Sequence, residues 1–119
     1  MKALQDEVEH FRGKDLDIQE LARLPILNAV IDETLRYNTI VPNRSQRIVP
    51  TGGKVLANEA IPGGAFVSIP FRAIMHDERY FDDPERWNPE RLISPQSQKN
   101  LNSKCLIPFS FGPFNCAGK

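Results

Sequence analysis

Cys116, near the end of the chain, is the side chain best suited to chemistry, because a thiolate is both a nucleophile and a metal ligand. The loop that contains it is rich in aromatic residues: Phe109, Phe111 and Phe114. Gly112 and Gly118 allow the backbone of this loop to approach a flat ligand closely. An apolar wall around one cysteine suits a haem face, but a lone cysteine is also often a buried structural residue. The residues of the loop leave both interpretations open.

Other cysteine chemistries fit the spacing less well. There is no Cys-x-x-Cys pair, and His10 and His76 lie far from either cysteine in the sequence, which argues against zinc. Two cysteines are fewer than a secreted disulfide scaffold usually carries. We therefore predict reduced thiols, with a Cys105–Cys116 bridge as the alternative.

Glu33 and Arg36 are three residues apart in a predicted helix over residues 25–38, so they share one face. Pro25 can open this helix. Its apolar residues form one stripe: Leu27, Val30, Ile31 and Leu35. Because Glu33 and Arg36 lie away from that stripe, helical spacing alone indicates a surface ion pair of little energetic value.

The elements that must position these side chains are helical at the start of the chain and include short strands in its middle. A short helix is predicted from Leu4, Val8 and Phe11, ending at Gly13. In the strand region, residues 45–70, the segments 47–49, 54–56 and 65–69 read as short strands between glycine-rich turns, and a short helix follows around residues 73–75.

Residues 80–108 form a proline-rich stretch, termed the meander below, with little regular structure expected. Trp87, the only tryptophan, is expected to anchor this stretch to the body of the protein. The cysteine loop then occupies residues 109–118. The role predicted for the meander is structural: it fixes the position of another part of the protein.

Composition limits the classes of partner. The 119 residues carry 15 basic and 15 acidic side chains, so there is no electrostatic footprint for nucleic acid. The apolar runs are too short to span a membrane, and the N-terminus lacks the apolar stretch of a signal peptide.

Three features in this order, the Glu33–Arg36 pair, the meander and the cysteine loop, resemble the C-terminal part of a cytochrome P450. The glycine- and proline-rich stretches resemble those of fungal members of the family. Glu33 and Arg36 match the family's Glu-x-x-Arg motif, and Arg91 matches the arginine of its meander motif. The haem signature Phe-x-x-Gly-x-x-x-Cys-x-Gly is matched by four residues: Phe109, Gly112, Cys116 and Gly118.

The resemblance implies a mainly helical α+β fold with small strands, covering residues 1–119 as part of a longer domain. It implies that Glu33, Arg36 and Arg91 form a buried network, unlike the surface pair that spacing suggests. It also implies that Cys116 is the axial ligand of haem b, where a thiolate favours O–O cleavage. Arg47 matches a family arginine beside the haem and is the expected propionate partner, since Phe114 stands where the family often has an arginine.

By the same resemblance, the parent protein is expected to be a monooxygenase acting on a small apolar substrate, with electrons from NADPH supplied through a reductase. It is expected to be intracellular, at the cytoplasmic face of the endoplasmic reticulum, with any membrane anchor outside this chain. Family members are several times longer, and no segment here matches their distal helix, so the chain is expected to be inactive alone. The alternatives are a haem-thiolate carrier or sensor without turnover, and a structural remnant without haem.

Overall fold

The structure is a computed structural model that describes residues 2–15, 17–42, 46–94, 103–113 and 115–118. Four α-helices and four three-residue strands lie within these ranges, together with short 3-10 helices. The prediction of a mainly helical α+β fold with small strands is therefore confirmed. No helix in the described ranges combines the length and apolar character needed to cross a membrane.

The first predicted helix is present as α1, Lys2–Val8, which continues as a 3-10 helix at Glu9–Phe11. Gly13 follows with a φ of +73°, a left-handed conformation that glycine adopts without steric cost. A short helix that the sequence analysis did not predict, α2, runs Ile18–Leu21. The Asp17 carboxylate caps it by accepting from the Gln19 amide, the arrangement expected of an N-cap aspartate.

The longest helix, α3, runs Pro25–Tyr37, one residue shorter than the predicted range 25–38. Proline stands in its first turn, where the missing amide hydrogen costs nothing. The N-cap residue Leu24 provides no side-chain cap. Glu7 of α1 replaces it by accepting from the amides of Ile26 and Leu27 at 3.0 and 2.8 Å. One carboxylate thus fixes α1 against the start of α3.

The face of α3 that is buried differs from the predicted one. The buried residues are Ala29, Glu33 and Arg36, whereas Ile31 of the apolar stripe is exposed. Val30, also of the stripe, lines an open groove that Leu4 and Trp87 border as well. Apolar periodicity failed here because the charged face is buried by partners from distant parts of the chain.

The strands form two antiparallel ribbons. In the first, β1 (Gln46–Ile48) pairs with β4 (Phe66–Ser68), with Arg47 opposite Val67. In the second, β2 (Lys54–Leu56) pairs with β3 (Glu59–Ile61), a strand that the sequence analysis missed. Its hairpin turn is made by Ala57 and Asn58 with φ of 50° and 67°, the left-handed pair of a two-residue hairpin.

A small apolar core joins the later elements. Helix α4, Phe71–Met75, lies where a short helix was predicted and contributes both of its end residues to this core, together with Phe81. Three partly buried residues leading to the cysteine loop pack against it: Cys105, Leu106 and Ile107. Within the described part of the meander, one 3-10 helix runs Pro89–Leu92 and another runs Ser103–Cys105.

Candidate functional site

The ion pair between Glu33 and Arg36 is inside the protein. Both side chains are 0% exposed. Arg36 Nε donates to Glu33 Oε2 at 2.8 Å and Arg36 Nη2 donates to Glu33 Oε1 at 2.9 Å, a two-pronged contact. The surface pair that helical spacing alone suggests is therefore wrong, and the buried pair that the family resemblance implies is confirmed. The physical reason is that Glu33 accepts, and Arg36 donates, further hydrogen bonds with partners outside the helix.

Arg91 supplies the third side chain of this network. It lies on the 3-10 helix Pro89–Leu92, whose N-cap, Asn88, accepts from the Glu90 amide. Arg91 is 5% exposed, and its Nε donates to Glu33 Oε1 at 3.1 Å. The Asn88 amide donates to the same oxygen at 2.9 Å. The structure thus brings together Glu33, Arg36 and Arg91, and Glu33 also holds the main chain of the meander.

Two guanidinium groups share the one carboxylate of Glu33, so several of their N–H donors need other acceptors. Backbone carbonyls accept these hydrogen bonds. Arg36 donates to the carbonyls of Met75 and Pro84 at 2.7 and 2.8 Å. Arg91 donates to three meander carbonyls: Asp82, Asp83 and Arg86. The Arg36 guanidinium also lies 5.3 Å from the centre of the Phe81 ring, a cation–π contact.

A buried charge network stabilises a fold only when its polar atoms have hydrogen-bond partners. No buried side-chain nitrogen or oxygen among the described residues lacks a partner. Removing one member of a buried charge network leaves an uncompensated charge and costs about 3–5 kcal/mol. The network therefore locks α3, the end of α4 and the meander into one arrangement.

Trp87 adds an outer contact between the meander and α3. Its Nε1 donates to Thr34 Oγ1 at 3.2 Å, and Thr34 Oγ1 donates to the Val30 carbonyl at 2.6 Å. The ring is partly exposed and borders the groove beside α1. Trp87 anchors the meander, as the sequence analysis predicted.

The cysteine loop is held at both of its ends. Ile107 packs on the core of Phe71, Met75 and Phe81, and its carbonyl accepts from the Ser110 amide at 3.0 Å. The Cys116 amide donates to the Phe109 carbonyl at 2.9 Å and closes the loop. Gly112, inside the loop, has a φ of +90°, so its conformation rather than close packing calls for glycine.

Cys116 is exposed, and both it and Cys105 are free thiols, so the structure contains no bridge between them. A Cβ atom at Gly118 would stand 3.8 Å from Cys116 Sγ, and its absence leaves the sulfur uncovered on that side. Burial raises the pKa of the Cys105 thiol. Of the two sulfurs, Cys116 is the one open to a ligand.

The apolar wall of phenylalanines expected around the sulfur stays a prediction. Phe111 is 84% exposed, and its neighbours Gly112 and Pro113 are exposed too. The described residues place no protein surface over this side of the loop for an aromatic ring to pack against. Phe109 is partly buried, and Phe114 lies outside the described residues.

The donor set at Cys116 fits a group that brings its own ligands. No cluster of three His, Cys, Asp or Glu side chains that could hold a metal ion occurs in the described ranges. One open thiol would suit the protein ligand of a haem, whose porphyrin would bring nitrogen ligands of its own to the iron. Arg47, the expected propionate partner, is exposed on β1, and its Nη1 donates to the Gln46 carbonyl at 3.1 Å.

Three contributors to this site were not predicted from the sequence. They are Phe81, which stacks on Arg36, Asn88, whose amide binds Glu33, and His76, which follows Met75 and contacts the meander. Asn88 before Pro89 is a helix-start signal that could have indicated its cap. No local signal indicates the other two, because their partners are distant in the sequence.

Comparison with known proteins identifies relatives along the entire chain. The sequence model of the family Cytochrome P450 matches residues 1–119. The chain is 39% identical to cytochrome P450 monooxygenase prhB of Penicillium brasilianum, over 98% of this chain and 24% of that protein. It is 42% identical to cytochrome P450 monooxygenase cloA of Claviceps purpurea (strain 20.1), over 95% of this chain and 22% of that protein.

A solved structure of a zebra fish cytochrome P450 with abiraterone superposes on the chain with a TM-score of 0.82. The identity is 27%, and the match covers 99% of this chain and 27% of that one. The chain therefore spans about a quarter of the length of these relatives.

Proposed function

Since the chain belongs to the cytochrome P450 family, we propose that it is the cysteine-ligand half of the haem site of a longer haem-dependent monooxygenase. Such an oxidoreductase inserts one oxygen atom of O2 into an organic substrate. The relatives that support this activity are themselves named monooxygenases. The chain corresponds to about a quarter of each of them, so the activity is proposed for the full-length protein.

The observation that carries the proposal is the open Cys116 thiol on a loop whose base is packed against the core. The loop closes through the Cys116 amide and the Phe109 carbonyl, and Ile107 ties its base to Met75 and Phe81. Arg36 holds the Met75 carbonyl. The sulfur is thus open to a ligand, while the base of its loop packs against the core that Arg36 contacts, an arrangement that would hold a haem ligand in place.

Each residue of the site then has a role. Cys116 binds the iron, and Gly112 and Gly118 keep the backbone and the sulfur accessible to a flat ring. Haem b, when bound, supplies the oxygen-activating iron, which a thiolate makes electron-rich. Arg47 carries a positive charge that can pair with a propionate, in place of the arginine often found at the position of Phe114. Glu33, Arg36 and Arg91 hold the meander still.

The full-length protein is proposed to take electrons from NADPH through a reductase and to act on a small apolar molecule. We propose that the 119 residues alone do not turn over substrate, even where they bind haem. We also propose that the full-length protein is located at the endoplasmic reticulum, facing the cytoplasm. Recovery in the microsomal fraction, with digestion by protease added outside intact microsomes, would support this location, whereas protection would contradict it.

The decisive experiment is the spectrum of the ferrous–carbonyl complex. Reconstituted full-length protein is expected to give the strongly red-shifted Soret band of a thiolate-ligated haem, and Cys116→Ala is expected to lose it. Cys105→Ala is the matched control, because that thiol is partly buried and its loss should leave the shift in place. Absence of the shift in the unaltered protein, or its survival in Cys116→Ala, would overturn the ligand assignment.

A second measurement separates an enzyme from a haem-thiolate carrier or sensor. Full-length protein with a reductase, NADPH and a panel of small apolar compounds is expected to form an oxygenated product. A normal carbonyl spectrum without product from any compound in the panel would favour a carrier or sensor. A structural remnant would fail both measurements.

A further inference from the structure

His76 occupies a junction that the network of Glu33, Arg36 and Arg91 does not include. It is the C-cap residue of α4, and its side chain is only 6% exposed. Its Nδ1 lies 2.8 Å from Glu85 Oε1 of the meander, and its Nε2 lies 3.2 Å from the Tyr37 carbonyl at the end of α3. One imidazole ring therefore contacts three separate elements.

The contact with Glu85 is the one whose direction is fixed. A carboxylate accepts, so Nδ1 of His76 carries the hydrogen of this bond. Nε2 lies 3.2 Å from the Tyr37 carbonyl and 3.4 Å from Arg72 Nη1, one acceptor and one donor. The bridge from His76 to the meander therefore depends on Nδ1.

Charges of both signs surround His76. Glu85 faces it from the meander, and Arg72 faces it from α4 while pairing with Glu85 Oε2 at 3.6 Å. From α3, Arg36 acts on Glu85 through its charge, and Tyr37 contributes its carbonyl. The hydrogen bond from His76 is the largest of the effects that hold the pKa of Glu85 below its usual value.

The pair His76–Glu85 lies directly beside the main-chain contacts of Arg36. Arg36 binds the carbonyls of Met75 and Pro84, and the residue that follows each of them is a member of the pair. The end of α4 and the meander are therefore joined twice, once through buried carbonyls and once through side chains nearer the surface. Met75 belongs to the core on which Leu106 and Ile107 pack before the cysteine loop.

We propose that His76, which joins the end of α4 to Glu85 and lies against the Tyr37 carbonyl, is a positioning residue for the haem-binding cysteine loop. It acts through Met75 and the core, not by contact with a ligand. The inference rests on the proposed haem function for its consequence, whereas the hydrogen bond between His76 and Glu85 is a property of the fold. Loss of this bond weakens the attachment of the meander beside Pro84 to the end of α4.

The hydrogen bond is tested by nitrogen NMR of labelled full-length protein in its diamagnetic ferrous–carbonyl form, or in the apo form if no haem binds. Nδ1 of His76 is expected to carry a bound hydrogen that exchanges slowly with solvent. An Nδ1 without a bound hydrogen would overturn the proposal. This result does not depend on monooxygenase activity, so it is separate from a failure of the proposed function.

The positioning role is tested by the rate at which haem leaves the full-length protein for excess apomyoglobin. His76→Phe and Glu85→Gln are each expected to speed haem loss about threefold to tenfold, and the double variant no more than His76→Phe alone, since they remove one shared contact. His76→Asn, which keeps a donor at the place of Nδ1, is expected to recover part of the loss. Glu9→Gln is the control, because it alters an exposed ion pair with Arg12 at the start of the chain.

Effects that multiply in the double variant, or rates equal to that of the unaltered protein, would contradict the positioning role. If a variant does not fold, the nitrogen shifts of the unaltered protein still decide whether the bridge exists. If the unaltered protein takes up no haem, the proposed function fails, while coupling between His76 and Glu85 remains measurable by chemical unfolding.

Discussion

Glu33 and Arg91 are 58 residues apart in the sequence, and a 3.1 Å hydrogen bond joins Arg91 Nε to Glu33 Oε1 inside the protein. The same oxygen accepts from Arg36 Nη2 and from the Asn88 amide. One carboxylate thus sets the distance between α3 and the meander. Its removal leaves two guanidinium groups facing each other without a counter-charge.

Glu33→Gln is therefore expected to destabilise the full-length protein by about 3–5 kcal/mol and to abolish haem incorporation. Urea unfolding measures the first effect, and the ratio of haem absorbance to protein measures the second. Glu20→Gln, on an exposed turn of α2, is the control and should change neither. Normal haem loading of Glu33→Gln would refute the role assigned to the network.

Loss of the contact between Trp87 and Thr34 is expected to cost much less. Trp87→Phe keeps an aromatic ring but removes the Nε1 donor, so the free energy of unfolding should fall by about 0.5–1.5 kcal/mol. Thr34→Val removes the acceptor, and the double variant should be less unstable than the sum of the two. Strict additivity of the three unfolding free energies would mean that the hydrogen bond contributes nothing.

The carboxylate of Glu7 caps α3 from another helix. Glu7→Gln retains one oxygen acceptor and loses the charge, so we expect a loss of about 1 kcal/mol in unfolding free energy. Amide hydrogen exchange should quicken at Ile26 and Leu27, whose amides bind Glu7, and stay unchanged near Tyr37. Asp6→Asn, an exposed neighbour, serves as the control. Unchanged exchange at both amides would contradict the cap.

The pair Asp77–Arg79 gives a prediction about pH. Hydrogen bonds from the Arg79 side chain and amide lower the pKa of Asp77 from 3.8 to about 2. A carboxyl whose pKa is lowered in the folded state adds stability above its unfolded pKa and loses it as the pH falls. This contribution should therefore be complete above about pH 4 and disappear between pH 4 and 2.

Carbon NMR titration of the Asp77 carboxyl measures this pKa directly. Arg79→Ala should return it towards 3.8. Arg12→Ala, which breaks a different exposed pair, should leave it near 2. A titration midpoint near 3.8 in the unaltered protein would show that the pair does not act on Asp77.

Helix starts and ends could be predicted from the sequence, because they depend on residues within one turn of the chain. Pro25 and the helix-forming residues after it define α3, and Gly13 ends the first helical segment, because a cap or a left-handed residue acts within one turn. The hairpin strand β3 was missed because Glu59-Ala60-Ile61 has neither alternation nor β-branched enrichment. Its turn at Asn58, rather than its own residues, places it beside β2.

The sequence by itself determined the family and the identity of the candidate ligand, because Cys116, Gly112 and Phe109 stand at family spacing in one short loop. Only the tertiary structure decided how the buried network is held in place. Helical spacing alone placed Glu33 and Arg36 on the surface, whereas the family resemblance implied the buried network that the structure contains. Burial of a charge depends on donors and acceptors that are 39 to 58 residues away, and no local pattern encodes them.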